Sequence, residues 1–418
     1  MFLRLAFSRR LLQERILVIL AFLIGAIASK DYLYLLGLGD ISRLLVFVIL
    51  MLLGLGLLIS WSDKGVSDFL GFHRFIIFVA GLIVLKYLML CFESPDMVFG
   101  GSSSKFTSSA FVYEQVSWFE DMYYLFMALT SMYLAVRWIN TFQAYLKTVF
   151  ALLCGSALAP AIGLIFFSYN IGSRVVVVDG VNFAGGFWNS SVIGFTSVYW
   201  LAFTLQRKGF YKKWLVLSLA FLLLFGALFG LSRSIFVAFG IAGLVYCWNI
   251  KSAMKKLLFI SLFIIVAGVF VYYFSSVFTL LQGRMGRTVL SDELRVVIWG
   301  EYLEHFLEYG LFGCSVLGYK HYSTGGYGPH SIFINWMVHF GVLGLGVFTY
   351  LLWLVHQALH QIRKNLSSDI YAAVLAWLVS YLCLVSWDET GFTTVSFYLA
   401  IGLVLALGKV CHQVRGSV

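Results

Sequence analysis

Long apolar blocks alternate with short polar stretches along the whole chain. The run LLFISLFIIVAGVFVYYF, from Leu257 to Phe274, holds no charged residue. A helix crosses the hydrocarbon core of a bilayer with about 20 apolar residues. Blocks of that kind fall at 12–29, 41–60, 75–92, 119–136, 148–168, 189–205, 214–230, 235–250, 257–277, 331–353, 370–387 and 393–410. They predict about twelve transmembrane helices, and an even number puts both termini on one side. Only three prolines occur in 418 residues, which suits a nearly all-helical chain. The predicted fold class is therefore an all-α polytopic membrane protein. It forms a single transmembrane domain over 1–418, with a cap on the external face built mainly by loop 278–330.

Composition excludes the soluble alternatives. Apolar residues make up 61% of the chain, charged residues only 11%, and mean hydropathy is +0.92. A soluble globule carries about 25% charged residues and cannot hide this much apolar surface. The six cysteines are scattered without a CxxC or Cys/His cluster, which argues against structural zinc and a disulfide framework. The basic start MFLRLAFSRRLLQER runs into an apolar stretch with no small-residue cleavage site, and so reads as a cytoplasmic lead into a retained first helix.

Charge decides orientation. The segments that would share a side with the termini hold 19 of the 29 basic residues and four of the 19 acidic ones. That is the positive-inside distribution, and it makes this side cytoplasmic. The motifs RKGFYKK and KSAMKK are then topology determinants, and the pI of 9.2 implies no nucleic-acid partner.

The informative loops lie on the external side. Within 278–330, DELRVVIWGEYLEHFLEYG reads as an amphipathic helix, because Leu294, Ile298, Tyr302 and Phe306 recur every four residues while Glu301, Glu304 and Glu308 fall on other faces. Four external features then need explaining. Arg174 lies in a loop that continues through Gly185 into GGFWNSS. Arg233 sits in the LSRS turn between two very apolar helices. Arg295 lies on the amphipathic helix, and His330 opens the following helix as PHSIFINW. Each has a simpler reading alone: Arg233 as a snorkelling anchor, Arg174 and Arg295 as partners of Asp179 or Glu301, His330 as a polar helix end.

Together they suggest chemistry. A guanidinium keeps its charge and binds phosphate bidentately, so several converging arginines suit a pyrophosphate. An imidazole, with an ordinary pKa of about 6.5, can take a proton from an alcohol. No carboxylate-rich motif for a divalent metal accompanies them, so no metal and no cofactor is expected, and the arginines would do the electrostatic work.

The order GSRVVVVDGVNFAGGFWNSS, LSRS, DELRVVIWGEYLEHFLEYGLFGCSVLGY and GPHSIFINWMVHFGVLG resembles the O-antigen ligase and O-antigen polymerase superfamily, over roughly residues 170–350. The resemblance implies a metal-independent glycosyltransferase of the GT-C type at the periplasmic face of a bacterial inner membrane. It implies a glycan donor on undecaprenyl pyrophosphate and an acceptor glycan, which is a lipid-linked repeat unit for a polymerase or lipid A core for a ligase. A chain-length regulator is an optional further partner. Arg174, Arg233 and Arg295 match the family's pyrophosphate-binding arginines and His330 its catalytic histidine. Gly185 and Asp388, the latter in SWDETGF, are looser candidates. Ser331 stands where the family often has asparagine, and Asn189-Ser190-Ser191 where it often has NPN, so the subfamily is not fixed; the motifs lean towards a polymerase.

A flippase for the same lipid-linked glycan is the best rival of another class. Transporters place ionisable groups near the bilayer midplane. Here Lys86 is the main mid-helix charge and the others gather at external ends, which disfavours transport. A structural scaffold would leave Arg233 unexplained.

Overall fold

A computed structural model describes residues 2–27, 39–61, 71–92, 108–166, 168–170, 175–178, 181–184, 213–230, 233–254, parts of 256–264, 296–313, 329, 331–386 and 394–415. Its helices are α1 (Phe2–Ala26), α2 (Gly39–Trp61), α3 (Phe72–Phe92), α4 (Ser108–Trp138), α5 (Phe142–Ser156), α6 (Leu158–Phe166), α7 (Lys213–Gly230), α8 (Arg233–Asn249), α9 (296–304), α10 (Ile332–Asn365), α11 (Ser368–Val385) and α12 (Val395–Arg415). Four described stretches are long and apolar enough to cross a membrane: Phe142–Ile162, Ile332–Asn365, Ser368–Val385 and Val395–Gln413. The helical membrane body expected from the apolar blocks is thus present. Candidate block 189–205, and most of 257–277, lie outside the described residues.

Several helices outrun their apolar blocks. Helix α4 begins at Ser108, well before its apolar block at 119–136, and α5 at Phe142, before its block at 148–168. The Thr141 hydroxyl accepts from the Ala144 amide at 3.1 Å, satisfying one of the amides that a helix start leaves open. Helix α10 continues to Asn365 because its last turns are amphipathic, with Leu354, Val355, Ala358, Leu359 and Ile362 buried. Once the apolar span is complete, helix geometry costs nothing extra as long as one stripe still packs.

Helix α12 stands at the centre, and 94% of its most apolar stretch is buried. It packs against α4 and α10, α1 packs on α5, and α8 on α11. Lipid tails are as apolar as leucine, so close backbone approach and interhelical hydrogen bonds must hold such helices together. Gly25 and Gly155 supply the first at the α1–α5 crossing, where an added Cβ on Gly155 would strike the Phe22 carbonyl and the Ala26 amide. The Trp336 indole donates to Tyr398 Oη at 3.0 Å, and the Tyr381 hydroxyl to Ser396 Oγ at 3.1 Å. Lys409, buried on α12, donates from Nζ to the carbonyls of Val136 and Arg137 and to Asn140 Oδ1. A cation on the carbonyl end of α4 meets the negative end of its dipole.

Two features depart from helix and loop. Three short segments form an antiparallel sheet, β1 (Ser168–Asn170), β2 (Val175–Val178) and β3 (Val181–Ala184), in that order. The four consecutive valines of β2 favour extended backbone. This small sheet is the exception to the all-helical expectation for the described residues.

The second departure is a break inside α10. Gly341 has φ 63° and ψ −149°, which only glycine adopts without strain. The break releases the amides of Val342 and Leu343, which donate instead to the carbonyls of Gly310 and Leu311, each at 3.2 Å. An added Cβ on Gly341 would meet the backbone of Gly310, Leu311 and Gly313, and one on Gly313 that of Val338 and His339. Gly341→Ala therefore combines a forbidden conformation with a backbone clash. We expect a loss of about 3 kcal/mol from the conformation alone, read as a lower melting temperature in detergent. Wild-type melting would show that the break does not depend on glycine.

Candidate functional site

The amphipathic reading of DELRVVIWGEYLEHFLEYG is correct for the part that is described. Ile298 and Tyr302 are fully buried against Ile334, Met337 and Val338 of α10, with Trp299 and Phe306 packed beside them, while Val296, Val297, Leu303 and Leu307 are exposed. The α-helix ends sooner than the sequence pattern suggests. It passes into a single 3-10 turn at Phe306–Tyr309, which stops at Gly310 with φ 56°. From there the chain reaches Gly313 (φ 90°) and the α10 break.

Segment 296–313 is therefore laid along the first three turns of α10, running in the same direction. Trp299 lies at Pro329, Tyr302 beside Ile334 and Val338, and Gly310 and Leu311 at Val342 and Leu343. The Trp299 indole donates to the Pro329 carbonyl at 2.7 Å. A partly buried tie of this kind costs more to break than it contributes when made, because the carbonyl would be stranded. Among the described residues this is where two sequence-distant candidate segments meet. Trp299 stands four positions after Arg295, and Pro329 immediately precedes His330.

The sheet performs a similar service for the glycine loop. Its ladder pairs Asn170 with Val175 and Val175 with Ala184. Val175 follows Arg174 and Ala184 precedes Gly185, so the neighbours of both candidates are paired at one end of the sheet. Arg233 is the first residue of α8, at the helix end where backbone amides are open. Arg174, Gly185, Arg295, His330 and Asp388 themselves lie outside the described residues, as does most of 278–330. Among the described residues no group of three or more His, Cys, Asp or Glu side chains is placed to hold a metal ion.

Sequence reasoning passed over a polar stripe on α10. Ser331, Asn335 and His339 recur at four-residue steps, which sets them on one face, and all three are buried. Lys86 of α3 is buried beside this stripe. Each residue is a single polar position within an apolar block, so hydropathy alone does not reveal that they meet. The signal that could have found them is the i, i+4, i+8 spacing starting one residue after His330.

No curated protein matches the chain. A family model described as O-Antigen ligase matches residues 218–349, from within α7 to the middle of α10. The matched stretch contains Arg233, Arg295 and His330, together with the α9–α10 tie and the glycine break; the sheet with Arg174 and Gly185, and Asp388, fall outside it. Over residues 218–349 this helical membrane protein is therefore similar to the O-antigen ligase family, which supports its likeness to the O-antigen ligase and polymerase superfamily.

Proposed function

We propose that the chain is an inverting glycosyltransferase of the periplasmic face of the inner membrane. It moves a glycan from undecaprenyl pyrophosphate to a sugar hydroxyl on a second lipid-linked repeat unit, as a polysaccharide polymerase. The observation that carries this reading is the family match over 218–349, which encloses Arg233, Arg295 and His330. The hydrogen bond from Trp299 to Pro329 supports it, since it ties the segment after Arg295 to the residue before His330. With 278–330 as the cap over one transmembrane body and both termini in the cytoplasm, the site would face the periplasm and open sideways to lipid.

In this reading Arg174, Arg233 and Arg295 hold the diphosphate, and His330 accepts the proton of the acceptor hydroxyl. The new bond forms between that oxygen and the anomeric carbon. The bond from the anomeric carbon to the diphosphate breaks, and undecaprenyl pyrophosphate leaves with the electron pair. Attack opposite the held leaving group inverts the anomeric configuration. Fixed guanidinium charges stabilise the departing diphosphate in a site that excludes water, so the scheme asks for no metal and no cofactor. Gly185 would allow close backbone approach beside Arg174, and Asp388 would be an accessory acid.

The decisive experiment uses purified protein with a lipid-linked donor. His330→Ala should retain donor binding and lose about 10²–10⁴-fold in transfer, the usual cost of removing a positioned general base. Turnover like wild type, or a product that keeps the donor's configuration, would refute the assignment. Transfer to lipid A core in preference to a lipid-linked repeat unit would make the enzyme a ligase.

Two further variants probe the electrostatic frame. Arg233→Lys keeps the charge and loses the fork, so transfer should collapse while membrane insertion stays normal; full activity would reduce Arg233 to a membrane anchor. Trp299→Phe keeps the ring and removes the donor to Pro329. A loss of about 1 kcal/mol of positioning corresponds to a roughly fivefold lower turnover. Unchanged turnover would show that the tie does not serve the site.

A further inference from the structure

Segment 296–313 carries apolar side chains that α10 does not use. Leu303, Leu307, Leu311 and Phe312 are all exposed, Leu307 at 88%, while Ile298 and Tyr302 form the face buried against α10. Large apolar side chains left bare at the end of a packed segment need a partner.

The level of these residues along α10 identifies it. The exposed His356, His360, Arg363 and Lys364 mark the far end of the α10 span. A hydrocarbon core that ends at Val355 or Leu359, just before either histidine, begins about 20 residues earlier, at Trp336 or Phe340. The break at Gly341 then lies just inside the hydrocarbon, and Gly310 and Leu311 lie there too, bonded to Val342 and Leu343. The start of the segment stands higher, because Trp299 donates to the carbonyl of Pro329. Val297 is therefore near the water and Phe312 among acyl chains.

Two further observations fit that depth. At the level of Leu311, α10 itself presents the exposed Val342, so the apolar surface of the span continues onto the tip. Irregular backbone at membrane depth persists only where protein satisfies its polar groups. The tip meets that condition, since the amides released by the break donate to the carbonyls of Gly310 and Leu311. We propose that Leu307, Leu311 and Phe312 seat the tip of segment 296–313 in the acyl chains of the leaflet on the side where α10 begins. The tip is a re-entrant anchor, and its partner is the bilayer rather than a substrate. It fixes how far Pro329 and the start of α10 stand above the hydrocarbon. The anchor rests on level and exposure alone, and holds whether or not the chain transfers glycans.

Leu307→Cys, Phe312→Cys and Val297→Cys should each carry a nitroxide in the full chain, with its six native cysteines replaced by alanine, in nanodiscs of phosphatidylethanolamine and phosphatidylglycerol. Oxygen concentrates in hydrocarbon and a nickel chelate stays in water. The ratio of oxygen to chelate collisions should be several-fold higher at 307 and 312 than at 297. Equal ratios at all three positions would put the tip in water and overturn the anchor. Few collisions with either reagent at 307 and 312 would mean that protein covers them, and would overturn it as well. If the cysteine-free chain fails to fold, p-benzoylphenylalanine at position 307 of the otherwise native chain replaces the nitroxide. Irradiation should then give a phospholipid adduct, read by mass; adducts to polypeptide alone would overturn the anchor. An adduct that forms only with undecaprenyl diphosphate in the disc would give the face to the lipid carrier and overturn its assignment to the bilayer.

Discussion

Backbone amides inside a membrane body must find carbonyls, because hydrocarbon offers none. The break at Gly341 creates that demand within α10, and the carbonyls of Gly310 and Leu311 meet it. Much of the packing around the start of α10 follows from this exchange. Segment 306–313 has to come to the level of residue 341, so α9 has to lie along the first turns of α10, and its apolar face has to be Ile298 and Tyr302. The contact is backbone to backbone, so a Cβ on Gly313 or Gly341 would strike it, while Gly310 is called for by its positive φ alone.

The break also divides the work of α10. Residues 342–365 would span about 36 Å as a helix, enough to cross the hydrocarbon core alone. The turns before the break are thereby free to serve as a wall, one face carrying Ser331, Asn335 and His339 and another packing on α9. Trp336, on the same turns, is fixed to Tyr398 of the central helix α12. A wall held on one side by α12 and on the other by α9 has little freedom to move, which is what a site at its upper end would need.

How much of this was legible in the sequence depends on what kind of signal each element left. Helices were legible because hydropathy is a block property, and blocks such as 370–387 and 393–410 reappear as α11 and α12 within a few residues. The α9 face was legible because period-four spacing is local. The sheet was not, since four valines between polar residues look the same as part of a hydrophobic loop until their partners at 168–170 and 181–184 are known. Gly341 was not legible either: among 39 glycines, nothing local distinguishes one that breaks a helix from one that packs it. The arginine and histidine motifs came from their order along the chain, and the family match over 218–349 spans the positions of Arg233, Arg295 and His330.

The polar stripe shows where hydropathy reasoning ends. Counting charges correctly singled out Lys86 as an exception and then set it aside, because one ammonium in a 21-residue helix barely changes its mean hydropathy. What matters is the position of the exception relative to others, and that is a property of packing. Lys409 is the instructive contrast. It is equally buried in another span, yet it is accounted for by the carbonyl end of α4 and by Asn140 Oδ1, where a lysine serves as a helix cap. Lys86 sits within α3, close enough to the buried His339 of α10 to act on its imidazole. Two buried lysines of the same exposure thus divide by their surroundings. One finishes a neighbouring helix through its carbonyls; the other acts on the imidazole of His339, and burial alone does not tell the two apart.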